Sequence, residues 1–525
     1  MSGAMQDFAT HPTDWLVILP VVLALLGGAV LLMLREAREA QFWLALSIVA
    51  VIFVSDIALA LRVSETGPVA MTMGRWLPPF GISFVADLTS AVFALAAAGV
   101  TLLLLVYLRM DMPDRARRDG VYPLILLLLA GVSGSFLTGD LFNLYVWFEV
   151  MLISSFGLMV LGGRNIQLDG TVKYGFLNFL ATSFFLAALG LLYGTLGTLN
   201  MADIVGRAGA ANPAVLASIA ALLLLAFGMK AAAFPVNAWL PASYHAPPPA
   251  ISALMAGLLT KVGVYALLRA LVMLLPASRE VLEPVLALVA ISTLILGPLG
   301  AIAETNLRRA LGFLVIGGIG ATIAGAALGN AAGLAGSATY VLHAMLTITA
   351  LYLVAGLLEA MTGETDTRRM GGIYAAASLP SLLFFVLMLA VAGVPPFLGF
   401  WPKLLLVQGG IEGWGFGRDG WALALWLAVL GNALLTLIAV SRLWAHIFWR
   451  AGHEAATTEA PNPDLKPLSR QVRWLGLGSA GVLTLVVLLL GLWPEPLLGF
   501  GKEAAAGLLR PANYVVATGL EGAAP

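Results

Sequence analysis

The chain has 525 residues, 60% of them hydrophobic and 11% charged, and its lysines and arginines balance its aspartates and glutamates to zero formal net charge. Soluble domains carry about 25% charged residues, so a mean hydropathy of +0.95 excludes a water-facing surface for most of this chain. The absence of cysteine excludes disulfides, thiolate metal sites and iron–sulfur clusters, and the neutral balance gives nucleic acid nothing to bind.

Backbone exposed to lipid must satisfy its own polar groups, so the fold class is an all-α polytopic membrane protein. A span needs about 20 mostly apolar residues. Such runs fall at 15–34, 42–61, 84–108, 121–138, 141–161, 174–197 and 213–234 in the first half. In the second they fall at 250–275, 281–303, 307–328, 334–361, 378–407, 421–449 and 472–493. The expectation is therefore fourteen transmembrane helices. The first apolar run is preceded by Asp7 and Asp14 rather than a basic segment, and no small-residue cleavage site follows it. No signal peptide is expected, and the first helix is retained.

Basic residues concentrate in the loops after odd-numbered spans: Arg35 and Arg38, then Arg109, Arg115, Arg117 and Arg118, then Arg164 and Lys173, with Arg308, Arg309, Arg368, Arg369, Arg442 and Arg450 further on. Those loops are read as cytoplasmic, which places both termini on the periplasmic or exterior face. The polar stretch at 451–471 reads as a cytoplasmic linker before the last span.

A charge at the bilayer centre costs about 3 kcal/mol on insertion scales. The ionisable groups within spans are therefore the candidates for function. Glu149 lies about eight residues into the fifth span, roughly 12 Å deep at the helical rise. Lys230 precedes a proline in "GMKAAAFPVNAWLP", and Lys261 falls near the middle of the eighth span. His343 lies inside the eleventh span, and Lys403 follows the prolines of "GVPPFLGFWPK". His245, between spans seven and eight, and Lys173, at the start of the sixth, are secondary candidates; Lys173 reads equally as a basic anchor or a proton-uptake group. Asp56 and Glu359 lie nearer span ends and read as structural.

These residue types suit one chemistry. A desolvated lysine gives up its proton more readily, and a nearby carboxylate restores its charge. Histidine passes protons in the same range. A string of Glu, Lys, Lys, His and Lys at mid-membrane depth fits a proton relay and suits neither electron transfer nor nucleophilic catalysis. An enzyme is not expected. None of the five histidines stands three or four residues from another, so no helical metal or haem pair is expected and no cofactor is called for.

An internal echo adds architecture. "FPVNAWLP" (Phe234 to Pro241) resembles "PPFLGFWP" (Pro395 to Pro402), and each sits late in its span, the seventh and the twelfth. Prolines break helices, and broken helices at matching positions of two halves point to inverted repeats around a transport site.

Three segments carry a family resemblance: "GDLFNLYVWFEVMLISSFGL", "FGMKAAAFPVNAWLPASYHAPPPAISALMAGLLTKVGVYALLR" and "GVPPFLGFWPKLLLV". They resemble the antiporter-like membrane subunits shared by respiratory complex I and the Mrp (Pha) multisubunit cation/proton antiporters. "GTLNMADI" and "GFWPK" are most similar to the D-type branch of the Mrp subunits. The resemblance implies fourteen helices, with helices four to eight (121–275) and nine to thirteen (281–450) as inverted repeats and helices 7 and 12 broken. An N-terminal three-helix segment (1–110) would precede them, and the last span with a short periplasmic tail (472–525) would follow.

The same resemblance implies an ion pair of Glu149 with Lys230, then a relay through Lys261, His343 and Lys403, with His245 beside it. It implies proton movement coupled to Na⁺ export, other Mrp subunits as partners, and a bacterial inner-membrane location. A redox-driven proton module of complex I or a membrane-bound hydrogenase is the alternative, and a structural scaffold is a third reading. One departure is visible: several relatives carry a lysine five residues after the histidine of helix eleven, where this chain has Ile348.

Overall fold

The computed structural model describes residues 11–76, 78–112, 119–415, 419–450 and 465–520. Arg115, Arg117, Arg118, residues 451–464 of the expected linker and the last five residues of the expected tail lie outside the described residues.

The chain begins with α1 (Leu19–Met33), α2 (Arg38–Thr66) and α3 (Leu88–Asp111). Next come α4 (Val121–Leu137), α5 (Leu141–Val160), α6 (Asn165–Leu196), α7 (Pro213–Ala231) and α8 (Pro249–Leu274). The second half holds α9 (Glu283–Ala303), α10 (Leu307–Leu328), α11 (Ala331–Thr362), α12 (Ser378–Ala392), α13 (Phe400–Trp414) and α14 (Gly420–Trp449). Then follow α15 (Arg470–Leu492), α16 (Glu495–Leu509) and a last short helix, Ala512–Ala517. Among the described residues, 11 helices are long and apolar enough to cross a membrane, and α1, α4 and α12 are shorter apolar helices. With α12 and α13 as one broken span, every expected span is present.

Three differences from the sequence reading have simple causes. Helix α6 starts at Asn165 rather than 174, because its polar first turns are helical without being apolar. The stretch between α2 and α3 holds strands β1 (Val69–Thr72) and β2 (Ser83–Ala86), paired antiparallel with Val69 opposite Ala86, so the span expected from 84 becomes helical only at Leu88. The expected tail holds α16, whose Leu497, Phe500, Ala504 and Leu508 recur at helical spacing and are buried. It lies on α11 so closely that a Cβ on Gly501 would stand 2.7 Å from Thr339.

Helices α8 and α11 form the centre, since their apolar windows are 100% buried. A helix that is apolar on all sides belongs in an interior, and small residues let its neighbours approach. Between α9 and α10, a Cβ on Gly297 would come within 2.4 Å of the Gly317 backbone nitrogen.

The two halves repeat in detail. Leu141 N–H donates to the Leu199 carbonyl and Met201 N–H to that of Gly139. In the second half, Leu307 N–H donates to Thr365 and Thr367 N–H to Thr305. Asp140 and Asn306 then cap α5 and α10 through Asn143 and Arg309. One set joins the α4–α5 and α6–α7 loops; the other joins the α9–α10 and α11–α12 loops. Five helices separate the equivalent loops. An odd number of crossings puts them at opposite ends of the bundle, as inverted repeats require.

Candidate proton-relay site

The breaks in the seventh and twelfth spans position the site. Helix α7 ends at Ala231 and Ala232 turns left-handed at φ 64°; α12 ends at Ala392 and Gly393 turns likewise at φ 83°. Pro235, Pro395 and Pro396 prevent the helices from resuming at once. Each break leaves carbonyls without helical partners, and side chains from beyond the break fill them. Trp239 Nε1 donates to the Met229 carbonyl at 3.1 Å. Lys403 Nζ donates to Ala392 at 2.8 Å and to Val391 at 3.3 Å.

Lys230, Lys261, His343 and Lys403 are all buried, with 2%, 4%, 2% and 5% of their surfaces exposed. That depth rules out snorkelling as the explanation of the lysines. Their surroundings differ. Lys403 lies in the first turn of α13, and its amine reaches the C-terminal end of α12, where the helix dipole favours a cation. Lys261 follows a π-helical turn, Met255–Leu259, and donates to the Ala256 carbonyl at 2.6 Å. Such turns disturb the regular ladder and recur at functional sites.

Lys230 Nζ has no hydrogen-bond partner and faces the Phe148 ring, 5.2 Å from its centroid. Half-buried Glu149, next to Phe148 on α5, is the charged group whose field reaches Lys230. Among the described residues no salt bridge joins the two, so the ion pair implied by resemblance is open in this structure.

His343 holds the middle of the second half. Its Nδ1 bonds Thr347 Oγ1 at 3.0 Å, and its ring meets that of Tyr340 edge-on. A Cβ on Gly399, within the second break, would stand 3.0 Å from the imidazole. The charges of both Lys403 and Lys261 reach it. A narrow void beside Lys261 is walled by Val264, Gly318, Thr322 and Val341. Ile348 is buried and adds no polar atom to this region.

The remaining candidates lie elsewhere. His245 is half-buried, with Nδ1 against the Pro241 carbonyl at 3.0 Å. Lys173 pairs with Asp169 at 2.5 Å on an exposed face of α6. Glu359 pairs with Arg308 at 2.8 Å, and Arg308 also donates to the Pro247 carbonyl and Ser252 Oγ. Asp56 is not near a helix end: α2 continues ten residues beyond it, and it is wholly buried.

Sequence reasoning passed over Arg269, although it lies within the eighth predicted span. It is 1% exposed, pairs with Asp87 at 2.5 Å, and donates from Nε to Tyr265 at 3.0 Å. Its in-span position was the available signal. Thr347, Phe148 and Trp239 carry no charge, and only the folded chain shows their roles.

Three buried amines and an imidazole thus lie across two helix breaks in a multi-pass membrane bundle. Among the described residues no three of His, Cys, Asp or Glu gather as a metal-holding group.

Known proteins share this architecture. The family described as NADH:quinone oxidoreductase/Mrp antiporter, transmembrane, matches residues 138–431. The D-type Na(+)/H(+) antiporter subunit of Bacillus subtilis is 35% identical over 502 residues, covering 95% of this chain and 98% of that protein. Its counterpart from Alkalihalophilus pseudofirmus is 33% identical over the same shares. Among solved structures, a chain of the Mrp complex from a Dietzia species superposes with a TM-score of 0.88 at 29% identity, covering 97% of this chain and all of that one. The protein belongs to the NADH:quinone oxidoreductase/Mrp antiporter membrane-subunit family.

Proposed function

We propose that this chain is the D-type, proton-translocating subunit of an Mrp-type Na⁺/H⁺ antiporter in a bacterial inner membrane, with both termini on the exterior face. Other subunits of the complex are its partners. The observation that carries this reading is the buried series Lys230, Lys261, His343 and Lys403 across two helix breaks.

The open Glu149–Lys230 pair is the switch. At an effective dielectric of about 20, two opposite unit charges brought from about 8 Å to about 4 Å gain roughly 2 kcal/mol. A change of that size is more than a factor of ten in a proton-binding equilibrium constant. Closing the pair holds a proton on Lys230; opening it releases the proton towards Lys261. His343, which feels the charges of both Lys261 and Lys403, relays it to the second break without help from position 348. A proton entering down about 100 mV supplies about 2.3 kcal/mol, available to drive cation export.

The test is Na⁺-driven proton movement in everted vesicles holding the whole complex, with Glu149→Ala and Lys230→Ala at matched assembly. Loss of exchange is expected. Exchange at the wild-type rate in either variant overturns the mechanism. The likeness to a chain of Thermus thermophilus respiratory complex I, with a TM-score of 0.77 at 25% identity, keeps a redox-driven proton module as a second reading. Co-purification of flavin or iron–sulfur subunits would favour it.

A further inference from the structure

Helix α2 buries nine residues, the polar Gln41 and Ser55 among them, and Asp56 is the charged one. Phe42, Ala45, Val49, Ile52, Asp56, Leu59 and Val63 recur every three or four residues, the spacing of a helix packed along one stripe. Asp56 sits where the two hydrophobic clusters of the molecule meet. Phe42, Ala45, Val49 and Ile52 belong to one; Leu59 and Val63 belong to the other. It is 0% exposed, and neither carboxyl oxygen has a hydrogen-bond partner. The adjacent Ser55 Oγ is also unpartnered. Among the described residues, Asp56 and Lys230 are the two buried charged side chains whose charged ends have neither a hydrogen bond nor an ion pair.

The neighbouring elements offer nothing to neutralise it. Helix α1 carries no charged residue. Asp87, which caps α3, is taken by Arg269. Tyr107, Arg109 and Asp111 of α3 lie at the opposite end of α2, where Arg109 meets Glu39, and Tyr122 of α4 lies there too, against Phe42. Glu39 itself is about 25 Å away along the helix. The charged pair nearest along α2 is Arg62 with Asp14, joined at 2.7 Å and partly exposed. Arg62 lies about 9 Å from Asp56 along the helix. An ionised carboxylate without a partner is unfavourable in such a seam. Even the neutral acid leaves an unpaired polar group there, which a leucine at this position would avoid. Proteins break packing rules of this kind chiefly at working sites.

We propose that Asp56 is a proton-binding carboxyl that takes up and releases one proton in each transport cycle, at a site outside the lysine row and outside both repeats. The step is protonation alone: a carboxylate and a proton become a carboxylic acid, and the reverse returns the proton. The inference rests on the proton-transport reading above.

Asp56→Asn keeps the shape and removes the titration; Asp56→Leu completes the apolar seam. Both are measured for exchange in vesicles holding the whole complex, at matched assembly. Infrared difference spectra of the purified complex between acid and alkaline buffer provide a second readout. The expected result is a loss of exchange of roughly tenfold or more in Asp56→Asn, with one protonated-carboxyl band of the wild-type spectrum missing. Exchange in Asp56→Asn at the wild-type rate overturns the proposal. So does an infrared spectrum identical to wild type, even where exchange falls, because it reduces Asp56 to a packing role. The infrared result does not depend on Glu149 or Lys230, so its failure is distinguishable from failure of the relay.

Discussion

Two lysines of the proposed relay should respond oppositely to the same substitution. Lys230 is 2% exposed, and its amine has no hydrogen-bond partner. Lys230→Met keeps most of the volume and removes a group that costs about 1–3 kcal/mol when buried unpaired. Lys403 is almost as buried, but its amine caps the Val391 and Ala392 carbonyls. Lys403→Met strands those acceptors and should cost about 1–3 kcal/mol. The two variants should therefore separate by roughly 3 kcal/mol, about two orders of magnitude in a folding equilibrium. Thermal unfolding of the purified complex measures the separation. Lys230→Met should match or exceed wild type, and Lys403→Met should fall below it. Both should lose cation/proton exchange. Equal destabilisation of the two would refute the reasoning, because it would mean that Lys230 has a bonded partner.

Further outcomes follow from the same geometry. Gly393→Ala forces a side chain into a left-handed backbone at φ 83°, with a Cβ 2.7 Å from Lys403 Cδ; it should cost about 1–2 kcal/mol in backbone strain and impair exchange by displacing Lys403, as complex yield and vesicle assays would show. Arg308→Ala leaves the partly buried Glu359 without its partner and should destabilise the complex by about 1–3 kcal/mol, which thermal unfolding would reveal. Lys173→Ala breaks an exposed pair and should change stability by less than about 1 kcal/mol; a severe loss of exchange in it would restore a transport role for Lys173.

Much of the site was legible before folding because charge in hydrocarbon is costly. An isolated lysine in an apolar run stands out in any sequence, so Lys230, Lys261 and Lys403 could be named from position alone. The paired prolines marked both breaks for a similar reason: they cannot continue a helix. Asp56 shows the limit of that logic. Its apparent nearness to a span end came from marking the second span only to residue 61, whereas α2 reaches Thr66. Apolar windows find where lipid contact stops, and helices continue beyond it. Arg269 shows a different limit, since its partner Asp87 lies 182 residues away and no local pattern announces it.

Composition and periodicity by themselves determined that this chain is a bundle of membrane helices, where two of them break, and which ionisable groups pay for burial. These are local facts, set by the solvation of single residues and by the geometry of proline. Tertiary structure decided whether each buried charge has a partner. It gave Lys403 the carbonyls of α12, gave Lys261 a carbonyl at a π-helical turn, and left Lys230 facing a phenylalanine with Glu149 out of contact. It also left Asp56 alone at the meeting of two cores. Partnership depends on distances of a few ångströms between residues remote in the chain, and the energy of a buried charge turns on those distances.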